Sequence, residues 1–264
     1  MIPVEHQNFL NKAVEILKQD NRIAGIALGG SYCTGIMDEF SDLDFVIAIY
    51  PEYTAEVMNE RIQIAGKLGH LLSAFTGEHV GESRLIICLY DEPLLHVDYK
   101  FVSLEDAGKR VEDPVILYQK DNALTNAFSK EPALFPMPDL QWIEDRFWVW
   151  IHYGATKIGR EELFEAMEHI SFIRQAVIAP LLLMKNGKLP RGVRKIETDA
   201  INDLPALLQT VAVHDIQSCI TALSATAELY LDLREPYLKE NLIVRQEAEK
   251  KALEYLNSIA VRFE

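Results

Sequence analysis

Residues 23–49 read IAGIALGGSYCTGIMDEFSDLDFVIAI, and this stretch limits the possible folds more than any other. Ile23 to Leu28 is a short apolar run of the length of a buried strand. It breaks at Gly29-Gly30-Ser31, where the backbone must turn tightly and come close to something. Residues 32–37 then have room for about two helical turns. Ser41-Asp42-Leu43-Asp44 leads into a second apolar run, Phe45 to Ile49. Side chains alternate along a strand, so Asp42 and Asp44 share one face. Ionised carboxylates are costly to desolvate without a partner, and a divalent cation is the commonest partner for such a pair.

A chain of 264 residues holds one or two domains, and 49% hydrophobic with 25% charged residues is an ordinary globular balance. The formal net charge of −14 comes with neither an acidic tail nor a basic arm. That disfavours a nucleic acid partner, which needs clustered Lys and Arg against phosphates. It suits a cationic small molecule, or simple solubility. Cys33, Cys88 and Cys219 form neither a C-x-x-C pair nor a disulfide framework, and Cys88 reads as a core residue. The start, MIPVEHQNFL, lacks a signal-peptide pattern, and the apolar stretch 176–184 is short and contains Pro180. The expectation is a cytoplasmic protein with no membrane partner, either a monomer or a homodimer.

Along the chain, Phe9, Ala13, Ile16 and Leu17 place a helix over residues 4–19, and a second covers 54–68, closing near Gly69. Strand-like runs follow at 70–75, 84–90 and 94–102, the last just after Pro93. Residues 106–139 are punctuated by prolines and carry one further strand-like run, Val115 to Gln119. From Leu140 the pattern is helical. Ile143, Phe147, Trp150 and Ile151 line one face, and Leu163, Met167, Ile170 and Ile173 line another. A helix over 176–184 is expected to break at Pro180, 186–192 is a loop, and two helices cover about 203–233 and 236–262. The fold class is α+β: an N-terminal domain, 1–135, with a mixed β-sheet flanked by helices, then a helical bundle over 136–264.

A third carboxylate completes the first two. In Leu94 to Val102 the polar residues His96, Asp98 and Lys100 alternate with largely apolar ones and share a strand face. Asp is depleted in mid-strand, so Asp98 calls for a partner, and a metal shared with Asp42 and Asp44 supplies one. Three such carboxylates holding Mg²⁺ through hard oxygens suit phosphoryl or nucleotidyl transfer. Gly29 and Gly30 then let the backbone approach a triphosphate, the helix that follows aims N–H groups at it, and the Ser31 hydroxyl adds a hydrogen bond. The plainer reading is a strand–turn–helix in which Ser31 is only an N-cap. Lys100 can touch a phosphate or pair with Asp98.

Gly29-Gly30-Ser31, Ser41-Asp42-Leu43-Asp44 and Asp98 together resemble the signature of the DNA polymerase β-like nucleotidyltransferase superfamily. A sheet domain followed by helices resembles, within it, the antibiotic nucleotidyltransferases of the streptomycin, aminoglycoside and lincosamide types. The segment from Phe147 to Leu163 adds a less specific likeness, and the strong motifs span residues 25–102. The resemblance implies a nucleotidyltransferase domain over 1–135 and a helical substrate-binding domain over 136–264. It implies transfer of AMP from Mg·ATP to a hydroxyl of a small molecule such as an aminoglycoside- or lincosamide-like antibiotic. It also makes Asp42 and Asp44 metal ligands and Asp98 the third ligand and general base, where some members carry a longer Glu. Gly30, Ser31 and Lys100 are the expected nucleotide contacts. The rivals are a protein or RNA acceptor, and a non-catalytic antitoxin-type nucleotide-binding module.

The remaining candidates have plainer readings beside the functional ones. His96 reads as a hydrogen-bonded strand residue. Lys157 and Arg160, or Arg191, Arg194 and Lys195, can clamp phosphates or be solvated. Trp142, Trp148 and Trp150 read as packing residues. Glu144, Asp145, Glu161, Glu165 and Glu168 can bind an amino sugar, but read first as a solvated helix face. His152, His169 and His214 lack metal-ligand spacing and carry no assigned role.

Overall fold

The protein is described by a computed structural model covering residues 2–240 and 242–264. The chain divides into two compact units, Met1–Pro136 and Met137–Glu264.

The first unit begins with helix α1 (Val4–Leu17), whose Phe9, Leu10, Ala13 and Leu17 recur at helical spacing and are buried. Strand β1 (Ile23–Leu28) is buried at all six positions, as an interior strand must be. Then come β2 (Leu43–Ile49), α2 (Thr54–Gly66), β3 (His70–Gly77), β4 (Glu82–Asp91) and β5 (Leu95–Ser103). The unit closes with β6 (Val115–Gln119) and the short helix α3 (Ala123–Phe128). The strands form one six-stranded sheet in the order β3-β4-β5-β2-β1-β6. Only β2 and β5 pair in parallel, with Asp44 opposite Asp98; the other neighbours are antiparallel. The sheet is therefore mixed.

Its two faces are covered unequally. Phe45, Ile47, Tyr99, Phe101 and Tyr90 pack under α1 and α2, and Phe45 stacks on Tyr99 with ring centroids 5.1 Å apart. On the opposite face Ala27, Ala48 and Val102 meet Ala107 and Leu124 and Ala127 of α3. That small cluster covers the far ends of β2 and β5. Asp44 and Asp98 share its face by strand parity, at the other end of each strand.

Two local expectations are corrected here. No two-turn helix follows Ser31: Gly30–Tyr32 is a single 3₁₀ turn, and Gly35 at φ 68° leaves the right-handed region a helix needs. The connector over 106–139 contains α3, which at six residues is too short to display a helical period.

The second unit is helical. Helix α4 (Leu140–Gly159) is capped by Asp139, whose side chain accepts from the Trp142 N–H at 2.9 Å. Ile143, Phe147, Ile151, Ala155 and Ile158 form its buried stripe. Trp148, rather than Trp150, is the core tryptophan; Trp150 is partly buried and Trp142 is 43% exposed, the two packing edge to face. Glu144 is not on a solvated face. It is 1% exposed and accepts from Tyr230 Oη (2.7 Å), Arg234 Nη1 (3.0 Å) and the Arg245 backbone N–H (2.9 Å).

Helix α5 (Leu163–Ile173) runs through a π turn at Arg174–Ile178 into α6 (Ala179–Lys185). Pro180 does not break this run, because the widened turn shifts the hydrogen-bond ladder and leaves the proline in the first turn of α6. Leu163–Lys185 is long and apolar enough to cross a bilayer by length and composition, and half of its apolar window is buried within the protein. A core helix passes the same test. The short helices α7 (Ile196–Asp199) and α8 (Leu204–Leu208) precede α9 (Ile216–Arg234) and α10 (Gln246–Arg262). The expected helix over 203–233 is thus split, with Asp215 capping α9 through the Ser218 N–H. The last helix starts at Gln246 rather than 236, after a 3₁₀ segment, Glu235–Glu240.

Arg234 is the charge that neutralises buried Glu144. Removing it by R234A is expected to cost about 3–5 kcal/mol in denaturant unfolding, because a buried carboxylate loses its partner. A loss below about 1 kcal/mol would contradict this role.

Candidate active site

The parallel register of β2 and β5 sets Asp44 directly beside Asp98, and Asp42 lies two residues before Asp44 on the same side. One carboxylate oxygen from each of Asp42, Asp44 and Asp98 can be chosen so that all three lie within 4.8 Å of one another. All three residues are partly buried, so the cluster is neither sealed in the core nor fully solvated. Burial pushes the Asp98 carboxyl above its usual range; neighbouring His96 opposes that shift and Asp42 adds to it. His96 Nε2 lies 2.8 Å from Asp98 Oδ1, so this histidine is the hydrogen-bonded strand residue its position suggested. A set of hard carboxylate oxygens at this spacing suits a divalent cation, and the trio can hold one.

The Gly29-Gly30-Ser31 turn lies against these acids. The Gly29 N–H donates to the Asp44 carbonyl at 2.8 Å, continuing the β1–β2 ladder. Gly30 has φ 61°, and a Cβ built on it would lie 1.9 Å from Asp44 Oδ2. Only glycine fits there, on both backbone and steric grounds. The Ser31 hydroxyl is buried and has no hydrogen-bond partner among the described residues. An orphaned donor beside a glycine turn is what a phosphate oxygen would satisfy.

Two residues at the site carried no signal in the reading of the sequence. Glu112 Oε1 accepts the Gly30 N–H at 2.6 Å, although it comes from the proline-punctuated connector, where no periodicity marks it. His6, 4% exposed on α1, donates from Nε2 to the Ser41 carbonyl at 2.8 Å and so ties α1 to the loop just before Asp42.

Lys100 shares the strand face of Asp98, but its ammonium sits 2.9 Å from Glu82 Oε2 rather than on Asp98. Arg84 holds the same carboxylate at 2.6 Å. The Glu82 carboxyl is pulled down to about 2, chiefly by Arg84 and then by Lys100, against burial. Cys88 is buried in the core, and burial pushes its thiol up to about 12.

In the helical unit, Lys157 is held by Glu162 (2.7 Å) and Glu165 (3.0 Å), and Glu165 also accepts from Tyr153. The Arg160 side chain is 64% exposed. Arg191, Arg194 and Lys195 lie on the loop between α6 and α7. Asp145 pairs with Arg245 at 2.7 Å, while Glu161 and Glu168 are exposed. His169 Nε2 lies 2.9 Å from the Trp150 carbonyl, His152 packs on Tyr255, and His214 on Phe164.

Three carboxylates that could hold a metal ion thus lie beside a glycine turn on a mixed sheet. A family profile for the nucleotidyltransferase domain matches residues 10–116, the segment that contains the turn and all three aspartates. Residues 10–116 of the chain thus match a nucleotidyltransferase domain. No curated protein matches the chain.

Similar solved structures include an aminoglycoside 6-adenyltransferase from Bacillus subtilis, at 14% identity and TM-score 0.41, covering 96% of this chain and 98% of that one. A nucleotidyltransferase-like protein from Exiguobacterium sibiricum aligns at 14% identity and TM-score 0.37, covering 97% and 90%. The CdnE cyclic dinucleotide synthase of Elizabethkingia meningoseptica aligns at 14% identity and TM-score 0.33, also covering 97% and 90%.

The contact between Gly30 and Asp44 yields a direct test. G30A should displace the Asp44 carboxylate and weaken Mn²⁺ binding, measured by electron paramagnetic resonance titration, about tenfold or more. Unchanged affinity in a folded variant would mean that Asp44 holds no cation.

Proposed function

We propose that the protein is a Mg²⁺-dependent adenylyltransferase that moves AMP from ATP onto a hydroxyl of a small molecule. The observation that carries this reading is the convergence of Asp42, Asp44 and Asp98 beside the Gly30–Ser31 turn. In this reading the three aspartates hold Mg²⁺, and Gly30 and Ser31 receive the donor phosphates. When bound, the cation supplies charge neutralisation at the phosphates and a more acidic acceptor hydroxyl.

The chain's own groups account for the rest. Absence of a side chain at Gly30 lets the donor approach the backbone closely, and Ser31 Oγ donates to a phosphate oxygen. The acceptor oxygen attacks the α-phosphorus, the bond to the bridging oxygen breaks, and pyrophosphate leaves. Asp98 takes the hydroxyl proton. His96 restrains that carboxyl through its hydrogen bond. Lys100, held by Glu82, adds a positive charge on the same strand face as Asp98 and is the proposed third nucleotide contact.

The acceptor is proposed to be an aminoglycoside- or lincosamide-like antibiotic, bound with the help of the helical unit. A net charge of −14 supports a cationic acceptor over an RNA end. A cytoplasmic location fits a supply of ATP.

The test is a screen of aminoglycosides and lincosamides with Mg·ATP, read by mass spectrometry of the acceptor. The expected product carries an added AMP, with pyrophosphate released, and D42N should give none. An added phosphate would make the protein a kinase, and full activity in D42N would remove the aspartates from the chemistry.

A further inference from the structure

A carboxylate already sits where the donor's phosphate is proposed to bind. Glu112 Oε1 accepts the Gly30 N–H at 2.6 Å, a charge-assisted bond to the amide at the centre of the turn. The same oxygen lies 3.0 Å from where a Gly29 Cβ would be, so it sits close against both glycines. This acid is brought toward a face that already holds three aspartates. A Cβ at Gly29 would also lie 3.7 Å from Asp44 Cβ, so Glu112 and Asp44 flank the same glycine. Bringing a fourth like charge there is unfavourable unless the turn itself favours an anion. Among the described residues the metal-competent group consists of Asp42, Asp44 and Asp98, and Glu112 stands outside it, on the amide.

We infer that Glu112 is a stand-in for a donor phosphate, which must displace it, and that this competition sets donor affinity. The inference rests on the proposed donor site at Gly30. The loop that carries Glu112 is itself held in place. Arg110 is fixed to Asp113 (2.7 Å), to the Gly108 carbonyl (3.0 Å) and to the Glu131 carbonyl (2.7 Å), which anchors the loop on both sides of Glu112. A phosphate that takes the Gly30 N–H would therefore require the partly exposed Glu112 side chain to turn away on a fixed backbone. Once displaced, the carboxylate enters solvent and the phosphate oxygen takes over the N–H.

The experiment is isothermal titration of wild type, E112A and E112Q with Mg²⁺ plus a non-hydrolysable ATP analogue, and separately with Mg²⁺ plus inorganic tripolyphosphate. E112A should bind both ligands about five- to tenfold more tightly than wild type, and E112Q should fall between. E112Q keeps the shape of the side chain and decides the matter if E112A does not fold. An equal gain for both ligands marks a phosphate contact, which a merely structural role would not produce. Wild-type binding with unchanged or weaker binding in the variants overturns the inference and leaves the donor site standing. A gain for the nucleotide alone also overturns it, since Glu112 would then touch the nucleoside. Binding of neither ligand to any of the three proteins overturns the donor site, and the inference with it.

Discussion

Like charges held close together are the constraint on which the rest of the domain depends. Carboxylate oxygens of Asp42, Asp44 and Asp98 can come within 4.8 Å of one another. At about 4 Å each such pair repels by about 1 kcal/mol in bulk water and about 4 kcal/mol at the effective dielectric of a protein surface. A fold that keeps three acids there needs rigid support. It comes from the parallel β2–β5 pairing, which fixes Asp44 opposite Asp98. A one-residue slip would turn Asp98 toward the α1–α2 side and bring Tyr99 out of the core. The stacked Phe45 and Tyr99 rings on that side hold the register against the repulsion.

The sheet thus divides its labour between its faces. One is sealed by two helices; the other is closed by α3 only over Ala27, Ala48 and Val102. Small residues permit α3 to sit close, while toward the opposite end of the same strands the three aspartates are only partly buried. His6 couples the two sides, since a buried group of the sealing helix holds the carbonyl next to Asp42. Gly30 couples the turn to Asp44 through contact so close that no other residue fits. Stability and site geometry in this unit therefore rest on the same contacts.

Much of this was legible in the sequence. β1 spans Ile23–Leu28 and β6 spans Val115–Gln119, as the apolar runs predicted, because short strands are bounded sharply by turn residues. Asp42 and Asp44 stood out as a carboxylate pair on one face, and Asp98 as an acid in mid-strand. The alternation of His96, Asp98 and Lys100 against buried neighbours then placed them on one face. What stayed hidden depends on distant partners or on single dihedral angles. Lys100 pairs with Glu82 through strand pairing that its own segment does not reveal. Glu112 reaches Gly30 from 82 residues away. Glu144 looked like a surface acid because its neutralising partner, Arg234, lies 90 residues downstream. The expected helix after Ser31 failed at Gly35, where composition permits a helix but the observed φ of 68° ends it.

The central claim is that the three aspartates form one cation site next to the donor phosphates. It is tested most directly by diffraction from crystals grown with Mn²⁺ and a non-hydrolysable ATP analogue, using anomalous scattering at the manganese edge. The account predicts an anomalous peak among the carboxylates of Asp42, Asp44 and Asp98, with the triphosphate on the Gly30–Ser31 turn. Manganese bound elsewhere, or a nucleotide seated away from that turn with no peak among the aspartates, would contradict it.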